Sequence, residues 1–382
     1  AYAAIYHGFE EEETQSNMFK ATLVMTVCYV HWVDADLKGM AQAAKQCIAL
    51  SQQSDSPQIL NYGHYHLGRV CYLQNDLIAA EQHFATVVRQ PYLNYGDCIV
   101  HSACGLALTY QIQGRPDEAQ AVIDTITTFL LETGNASMMP LIQALQAEIA
   151  LRQGQIAAAG QWAAHVDPIP PLSPMVEFFV PHLALVKIWL AQDTPASRQK
   201  AADLLDTARA YVESTHNTRF LIEVLALQTI QNIGQDERQT ALELLEQAID
   251  LAQPGGFIRP FVDLGSQMAD LLAELKPQNG EMQQYVGQIL AAFDKADGGR
   301  LKTEDKKIHP SSFRLQPLIE PLTNREQDVL ECLQLTDKEI SQRLVISSHT
   351  VRTHIKGIFG KLNVANRRQA IARARELGLL KE

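Results

Sequence analysis

Six cysteines are scattered through 382 residues, and no two of them form a CxxC pair. That spacing removes the usual framework of a structural zinc site and points to free, buried thiols in a reducing compartment. No G-x-x-x-x-G-K-[ST] stretch occurs, so the chain has no phosphate cradle of that kind. The longest apolar run, Leu23 to Val33, is interrupted by Thr26 and His31 and falls short of the roughly 20 apolar residues a membrane span needs. No secretory pattern opens the sequence. It starts on Ala1 rather than Met, in what reads as the inside of a helix, and a piece of something longer is expected. No Ser/His/Asp or Cys/His arrangement has local support for a nucleophile. A non-enzymatic protein of the cytoplasm, without membrane partners, catalytic residues, metal or bound cofactor, is therefore expected. The formal charge of −11 also argues against the whole chain being a nonspecific nucleic-acid binder.

What the chain does have is internal repetition. One plan recurs: an apolar helix, a short polar corner, then an Ala-rich helix. Leu23 to Trp32 leads through Asp34–Asp36 to Ala43-Ala44 and Ile48. Tyr65 to Tyr72 leads through Gln74-Asn75-Asp76 to Ala79-Ala80 and Phe84. Further copies turn at Gly114, Gly154, Asp193 and Gly234, and the corners Asn75, Gly114 and Gly154 lie 39 and 40 residues apart. Small residues let the helices cross closely, and glycine takes corner conformations other residues avoid. One hairpin cannot bury its own face, so the copies are expected to stack into a superhelix. From Asp294 to Pro321, charges, glycines and prolines replace the pattern, and a flexible linker is expected.

The last sixty residues read differently. Residues 322–382 hold 11 Lys and Arg against 7 Asp and Glu, a net of +4, on a remainder of −15. Thr323-Asn324-Arg325-Glu326 and Thr336-Asp337-Lys338-Glu339 have capping-box spacing, and Ser347 or Ser348 suits the cap of a third helix. On that helix Val351, Ile355, Ile358, Phe359 and Leu362 share one stripe, while His349, Arg352, Thr353 and Lys356 share another. One face would pack inward. The other would offer cations and hydroxyls to a major groove, which admits one α-helix and displays distinct base-edge patterns. Arg352 suits a bidentate guanine contact, Lys356 a guanine edge or phosphate, and Thr350 and Thr353 a phosphate oxygen or thymine methyl.

The series Leu322-Thr323, Arg325-Glu326, Val329-Leu330, Glu339-Ile340, Leu344, Ser347, Thr350-Val351, His354-Ile355, Lys361-Leu362, Arg367 and Ala370 resembles the LuxR-type helix-turn-helix of bacterial transcription regulators. Two residues usual between the Val-Leu pair and the Glu are missing here, so a tighter first corner or a shorter first helix is expected. Gly357 and Gly360 sit inside the third helix at about 1 kcal/mol each against Ala. The resemblance implies a DNA interface of Ser347, His349, Thr350, Arg352, Thr353, Lys356, Lys361, Arg367 and Arg368. It also implies a last helix near 366–377, whose Ala370, Ile371, Ala374 and Leu377 would contact a second head.

The earlier hairpins resemble the tetratricopeptide-like (TPR-like) repeats of large LuxR-type regulators of the MalT-like class. Gly256 to Asp263, with Met268, Leu271 and Leu272, is similar to a segment those regulators carry just after their repeats. Such regulators usually begin with an ATPase module, so ATP would act only through a segment outside this chain. The expected fold is all-α: a repeat domain over 1–275, a terminal helix and linker over 276–321, and a helix-turn-helix head over 322–382. The expected function is promoter binding by the head as a homodimer or oligomer on double-stranded DNA, with RNA polymerase as a further partner. A small-molecule or protein effector on the repeats would control it. The alternative is an interaction scaffold whose head is degenerate. His64, His66 and His83 form a near-cluster but read as ordinary helix residues, since no carboxylate or thiolate completes a metal set. Tyr62, Tyr65, Tyr72, Tyr92 and Tyr95 read as packing residues rather than a ligand groove.

Overall fold

A computed structural model describes residues 17–54, 57–89, 96–166, 177–235, 237–275, 279–298, 324–344, 346–362, 364 and 367–376. Every regular element among them is helical. Six hairpins follow one another: α1 (Asn17–Val33) with α2 (Leu37–Ser54), α3 (Pro57–Leu73) with α4 (Leu77–Val88), and α5 (Gly96–Ile112) with α6 (Pro116–Thr133). Then come α7 (Met139–Arg152) with α8 (Ile156–Ala164), α9 (Pro181–Gln192) with α10 (Pro195–Ser214), and α11 (Thr218–Ile233) with α12 (Arg238–Ala252).

The two helices of a hairpin are built differently because they bury different amounts of surface. α11 buries Phe220, Ile222, Val224, Leu225, Ala226, Leu227 and Thr229, so it is enclosed on all sides. Its partner α12 buries Ala241, Leu244, Leu245, Ala248, Ile249 and Ala252, a single stripe at spacings of three and four. First helices line the inside of the coil, and second helices cover it. The corners repeat a C-terminal cap. Backbone N–H groups of Asp36, Asp76, Arg115 and Gln155 donate to the carbonyls of His31, Cys71, Tyr110 and Ala150 at 2.8–2.9 Å. In each, the residue just before the donor is left-handed: Ala35, Asn75, Gly114 and Gly154, with φ between 60° and 77°. Gly234 does not play this part. Its φ is −63°, and the equivalent bond comes later, from Glu237 to Asn232 at 2.9 Å.

The coil closes on itself. Trp32 of α1 meets Phe220 of α11 edge-on, with ring centroids 6.2 Å apart. The tail of the last hairpin then crosses the corners of the first two. Gln74 donates from Nε2 to the Gly255 carbonyl at 3.0 Å, and the Ile258 N–H donates to the Leu73 carbonyl at 2.8 Å. A Cβ on Gly255 would stand 2.7 Å from the Ala35 carbonyl, which explains glycine at this crossing. Phe257 and Phe261 are fully buried here. The segment Gly256 to Asp263, which includes the single turn α13 (Arg259–Val262), therefore acts as a stopper across the ring.

After α14 (Ser266–Glu274), α15 (Gly280–Gly298) packs Tyr285, Val286, Ile289 and Ala292 into the same core. The Tyr285 hydroxyl donates to the Phe257 carbonyl at 2.5 Å. The core thus runs past the boundary expected at 275, because α15 seats the stopper. Asp294 to Gly298 is still helix, five residues into the expected linker; the rest of that stretch lies outside the described residues.

The histidines expected as a near-cluster separate. His66 is fully buried, edge-on to Tyr29 at 5.2 Å, whereas His64 and His83 face each other with their Nδ1 atoms 2.9 Å apart. Burial and the neighbouring His83 push the His64 imidazole down to about 4. Among the described residues no group of three or more His, Cys, Asp or Glu side chains is placed to hold a metal. The six cysteines carry free thiols, buried except for the half-buried Cys71. Tyr65 and Tyr72 are buried in the core, while Tyr92 and Tyr95 lie outside the described residues. No helix among the described residues is long and apolar enough to cross a membrane.

Phe84, fully buried on α4, wedges between two glycines. A Cβ on Gly68 would sit 2.7 Å from the ring, and one on Gly105 closer still on the other side. The ring cannot retreat from one without striking the other. Gly105→Ala should therefore cost about 1–3 kcal/mol despite the better helix propensity of Ala, lowering Tm by several degrees. Adding Phe84→Leu should recover part of that loss. Strict additivity in a double-mutant cycle followed by calorimetry would show that the wedge is not what binds these helices.

Candidate nucleic-acid interface

The C-terminal head has a core of its own. α16 (Asn324–Glu331), α17 (Asp337–Leu344), α18 (Ser348–Leu362) and α19 (Arg367–Glu376) enclose Val329, Leu330, Leu333, Ile340, Val351 and Ile358. The shortened link between the first two helices is taken up by tight turns. Cys332, Leu333 and Leu335 each donate a backbone N–H to the carbonyl three residues earlier, at 2.9–3.1 Å. This ends α16 after eight residues.

The next two helices are started by side chains. Thr336 and Glu339 form a capping box: the Thr336 N–H reaches the carboxylate at 2.8 Å and its hydroxyl at 2.7 Å, while the Glu339 N–H returns to the hydroxyl at 3.4 Å. The bonds from the Thr336 hydroxyl and N–H hold the Glu339 carboxyl below the usual carboxylate range. Ser347 caps α18 by accepting the Thr350 N–H at 3.1 Å, and its hydroxyl lies 2.8 Å from that of Thr350. The turn before it is held by the Ser341 hydroxyl on the Ile346 carbonyl at 2.8 Å.

α18 then divides as the pattern requires. Val351, Ile355 and Ile358 are buried, while His349, Arg352, Thr353 and Lys356 are exposed along one stripe. Ser347 is exposed at the entrance and Thr350 half-buried beside it. The Thr353 hydroxyl folds back onto the His349 carbonyl at 3.1 Å. The Arg352 side chain is 73% exposed, and its Nε donates to Asp337 at 3.0 Å. Its two terminal nitrogens carry no protein partner among the described residues, so the end that suits a bidentate acceptor stays open.

Three expected contacts are placed elsewhere. Lys361 turns inward, its Nζ 2.8 Å from Glu326, with only 19% and 9% of the two side chains exposed. Glu326 needs that room, because a Cβ on Gly357 would stand 2.5 Å from its Oε1. The glycine that costs helix propensity thus admits a carboxylate that ties α16 to α18. Arg367 donates to the Leu335 carbonyl and pairs with Asp337, pinning α19 to the first corner. Ala370 and Ala374 are fully buried in the head's own core, so they cannot form the expected face toward a second head; Ile371 packs beside them. Short side chains there let α19 lie close. Thr323, the Arg368 side chain and Leu377 lie outside the described residues. Asp337 is the residue that sequence reasoning missed as a site element. It holds Arg352 and Arg367 together across separations of 15 and 30 residues, which no helical period reveals.

A coil of helical hairpins carrying a small head with one outward polar and basic helix face defines a repeat protein with a C-terminal helix-turn-helix module. Residues 4–278 match the family described as the MalT-like TPR region, and this chain belongs to that family. Residues 320–374 match the family of bacterial regulatory proteins described as luxR. Curated relatives include the HTH-type transcriptional regulator MalT of Vibrio campbellii, 25% identical over 193 residues, covering 47% of this chain and 21% of the relative. The MalT regulator of Cronobacter sakazakii is 30% identical over 207 residues, covering 51% of this chain and 22% of the relative. The chain spans about a fifth of the length of these curated relatives.

Two outcomes test the head's construction. Residues 310–382 contain this separate core, and Lys361→Ala should destabilise them by about 1–3 kcal/mol by removing its half of the shielded ion pair with Glu326. An unchanged urea midpoint, followed by far-UV circular dichroism, would free Lys361 for another role. The Glu339 carboxyl is depressed in the folded head, so the stability it adds is present above its ordinary value and is lost as pH falls through the folded value. Glu339→Gln should flatten the acid limb of the stability profile below about pH 4.5 and leave its slope near pH 7 unchanged.

Proposed function

We propose that this chain is the repeat and DNA-reading part of a transcription regulator. α18 enters the major groove of a promoter, and the repeats receive the signal. The observation that supports this reading is the division of α18 into a buried apolar face and an open face of His349, Arg352, Thr353 and Lys356. The net positive head on a negative remainder favours the duplex as its partner and keeps the rest of the chain away from phosphates. The role itself comes from the relatives, which are named as transcriptional regulators. In the same reading, Arg352 reads a guanine edge while Asp337 steers its guanidinium. The cap of α18 at Ser347 and Thr350 meets a phosphate, where the free N–H groups and positive dipole end favour an anion.

Two heads on paired half-sites, RNA polymerase alongside them, and a small-molecule or protein effector on the repeats complete the reading of a cytoplasmic, non-enzymatic regulator. Any control by ATP would act from a segment outside this chain. With Ala370 and Ala374 used up inside each head, pairing must draw on other surfaces.

Competition between a duplex selected by the full chain from a random pool and unselected random DNA tests the assignment. Arg352→Ala in the full chain should cost about 1–3 kcal/mol on the selected site and little on random DNA, relaxing one base position. Lys356→Ala should weaken binding and make its salt dependence shallower by about one phosphate contact if it holds the backbone. Unchanged discrimination in Arg352→Ala would remove that residue from base reading.

A further inference from the structure

A cavity of about 50 Å³ remains inside the coil, between the inner helices and the stopper. A single buried water needs about 10–15 Å³, so there is room for about three to five waters. One wall is apolar, made by Phe178, Phe179, Leu183 and Phe220. The rest of the lining is largely ionic. Glu148 accepts from Lys187 at 3.0 Å and from Arg152 at 2.8 Å, and Arg152 reaches on to Asp263 at 3.0 Å. Arg219 pairs with Glu223 at 3.1 Å, and Arg259 pairs with Asp263.

The lining therefore sets four cations, Arg152, Lys187, Arg219 and Arg259, against the three carboxylates Glu148, Glu223 and Asp263. Burial pushes the Glu148 carboxyl up, but Lys187 and Arg152 more than reverse this and hold it at about 2. One positive charge is left over in a place where an uncompensated charge is costly. The surplus has an address. Arg219 is 2% exposed, and its Nε and Nη1 reach no hydrogen-bond partner among the described residues. The Nε of Arg259, across the same cavity, is also without one. The Arg219 guanidinium carbon lies 4.8 Å from the ring centroids of Trp32 and Phe220, which steadies the cation but gives its idle N–H groups no oxygen to bond.

We propose that this cavity binds a small monocarboxylic acid, its carboxylate held by one idle edge of the Arg219 guanidinium and its short carbon body against the phenylalanine side chains. A carboxylate accepts a charge-assisted hydrogen bond from such an idle N–H and brings the single negative charge that balances the lining. Phosphate as a dianion would overshoot the balance, and a neutral ligand would leave it uncorrected. The site rests on the reading of the repeats as the part that receives an effector, and it gives that effector a chemical class.

Calorimetric titration of the full chain with propionate, in chloride-poor buffer, tests the site. Saturable binding is expected, with a rise in Tm that follows propionate concentration. Propionamide, the neutral counterpart, should not bind, and Arg219→Gln should weaken propionate at least tenfold. The amide comparison needs no variant, so it stands even if Arg219→Gln fails to fold. Absence of propionate binding, equal binding of propionamide, or tighter binding of phosphate would each overturn the proposal. Retention of promoter DNA, measured with and without propionate, is a separate readout. Propionate bound without any change in DNA retention would support the site and remove the effector role from it.

Discussion

α18 is gripped on one side only, and that asymmetry governs what the head can do. Val351, Ile355 and Ile358 are the residues buried against the other helices, which leaves the polar stripe no direction but outward. The grip is reinforced by charge rather than by more oil. Glu326 reaches over the bare backbone of Gly357 to Lys361, and Asp337 collects Arg352 and Arg367. The two carboxylates act differently. The Glu326 pair is largely shielded from water, so losing either partner would cost stability. The Asp337–Arg352 pair is open to solvent and contributes little stability, so it can orient the guanidinium without locking it away from a base.

The repeats solve a related problem by closing a ring. Hairpins in an open stack leave the inner helices of the end copies uncovered. Here the last hairpin meets the first through Trp32 and Phe220, and Gly255 with the stopper that follows it spans the join. Helices such as α11 can then be apolar on every side. The same closure gathers cations and carboxylates from helices remote in sequence, with Arg152 and Asp263 111 residues apart. Anything held inside a ring joined through its own charged interior would bear on several hairpins at once.

Much of this architecture was legible because it rests on local periodicity. The corners announced themselves through Asn75, Gly114 and Gly154, and the two stripes of α18 through their spacing alone. Gly234 misled because its corner is longer, which shifts the capping bond to Glu237 and relieves the glycine of any unusual backbone. What the sequence could not disclose were partnerships between distant residues. Lys361 and Arg367 look like phosphate ligands on a basic helix until Glu326 and Asp337 are seen beside them. Ala370 and Ala374 look like a docking stripe until the core is seen to need them. The stopper was recognisable as a segment, but its seat on Leu73 and Gln74 joins positions 181 or more apart in the sequence.

The claim that matters most is that the open face of α18 reads base sequence. Selection of bound duplexes from a random pool by the full chain, followed by sequencing, measures this directly. A shared motif should emerge, with at least one guanine position that becomes indifferent when the selection is repeated with Arg352→Ala. A pool that stays random after repeated rounds at low salt would contradict the account and leave the ring of hairpins as the working part of the protein.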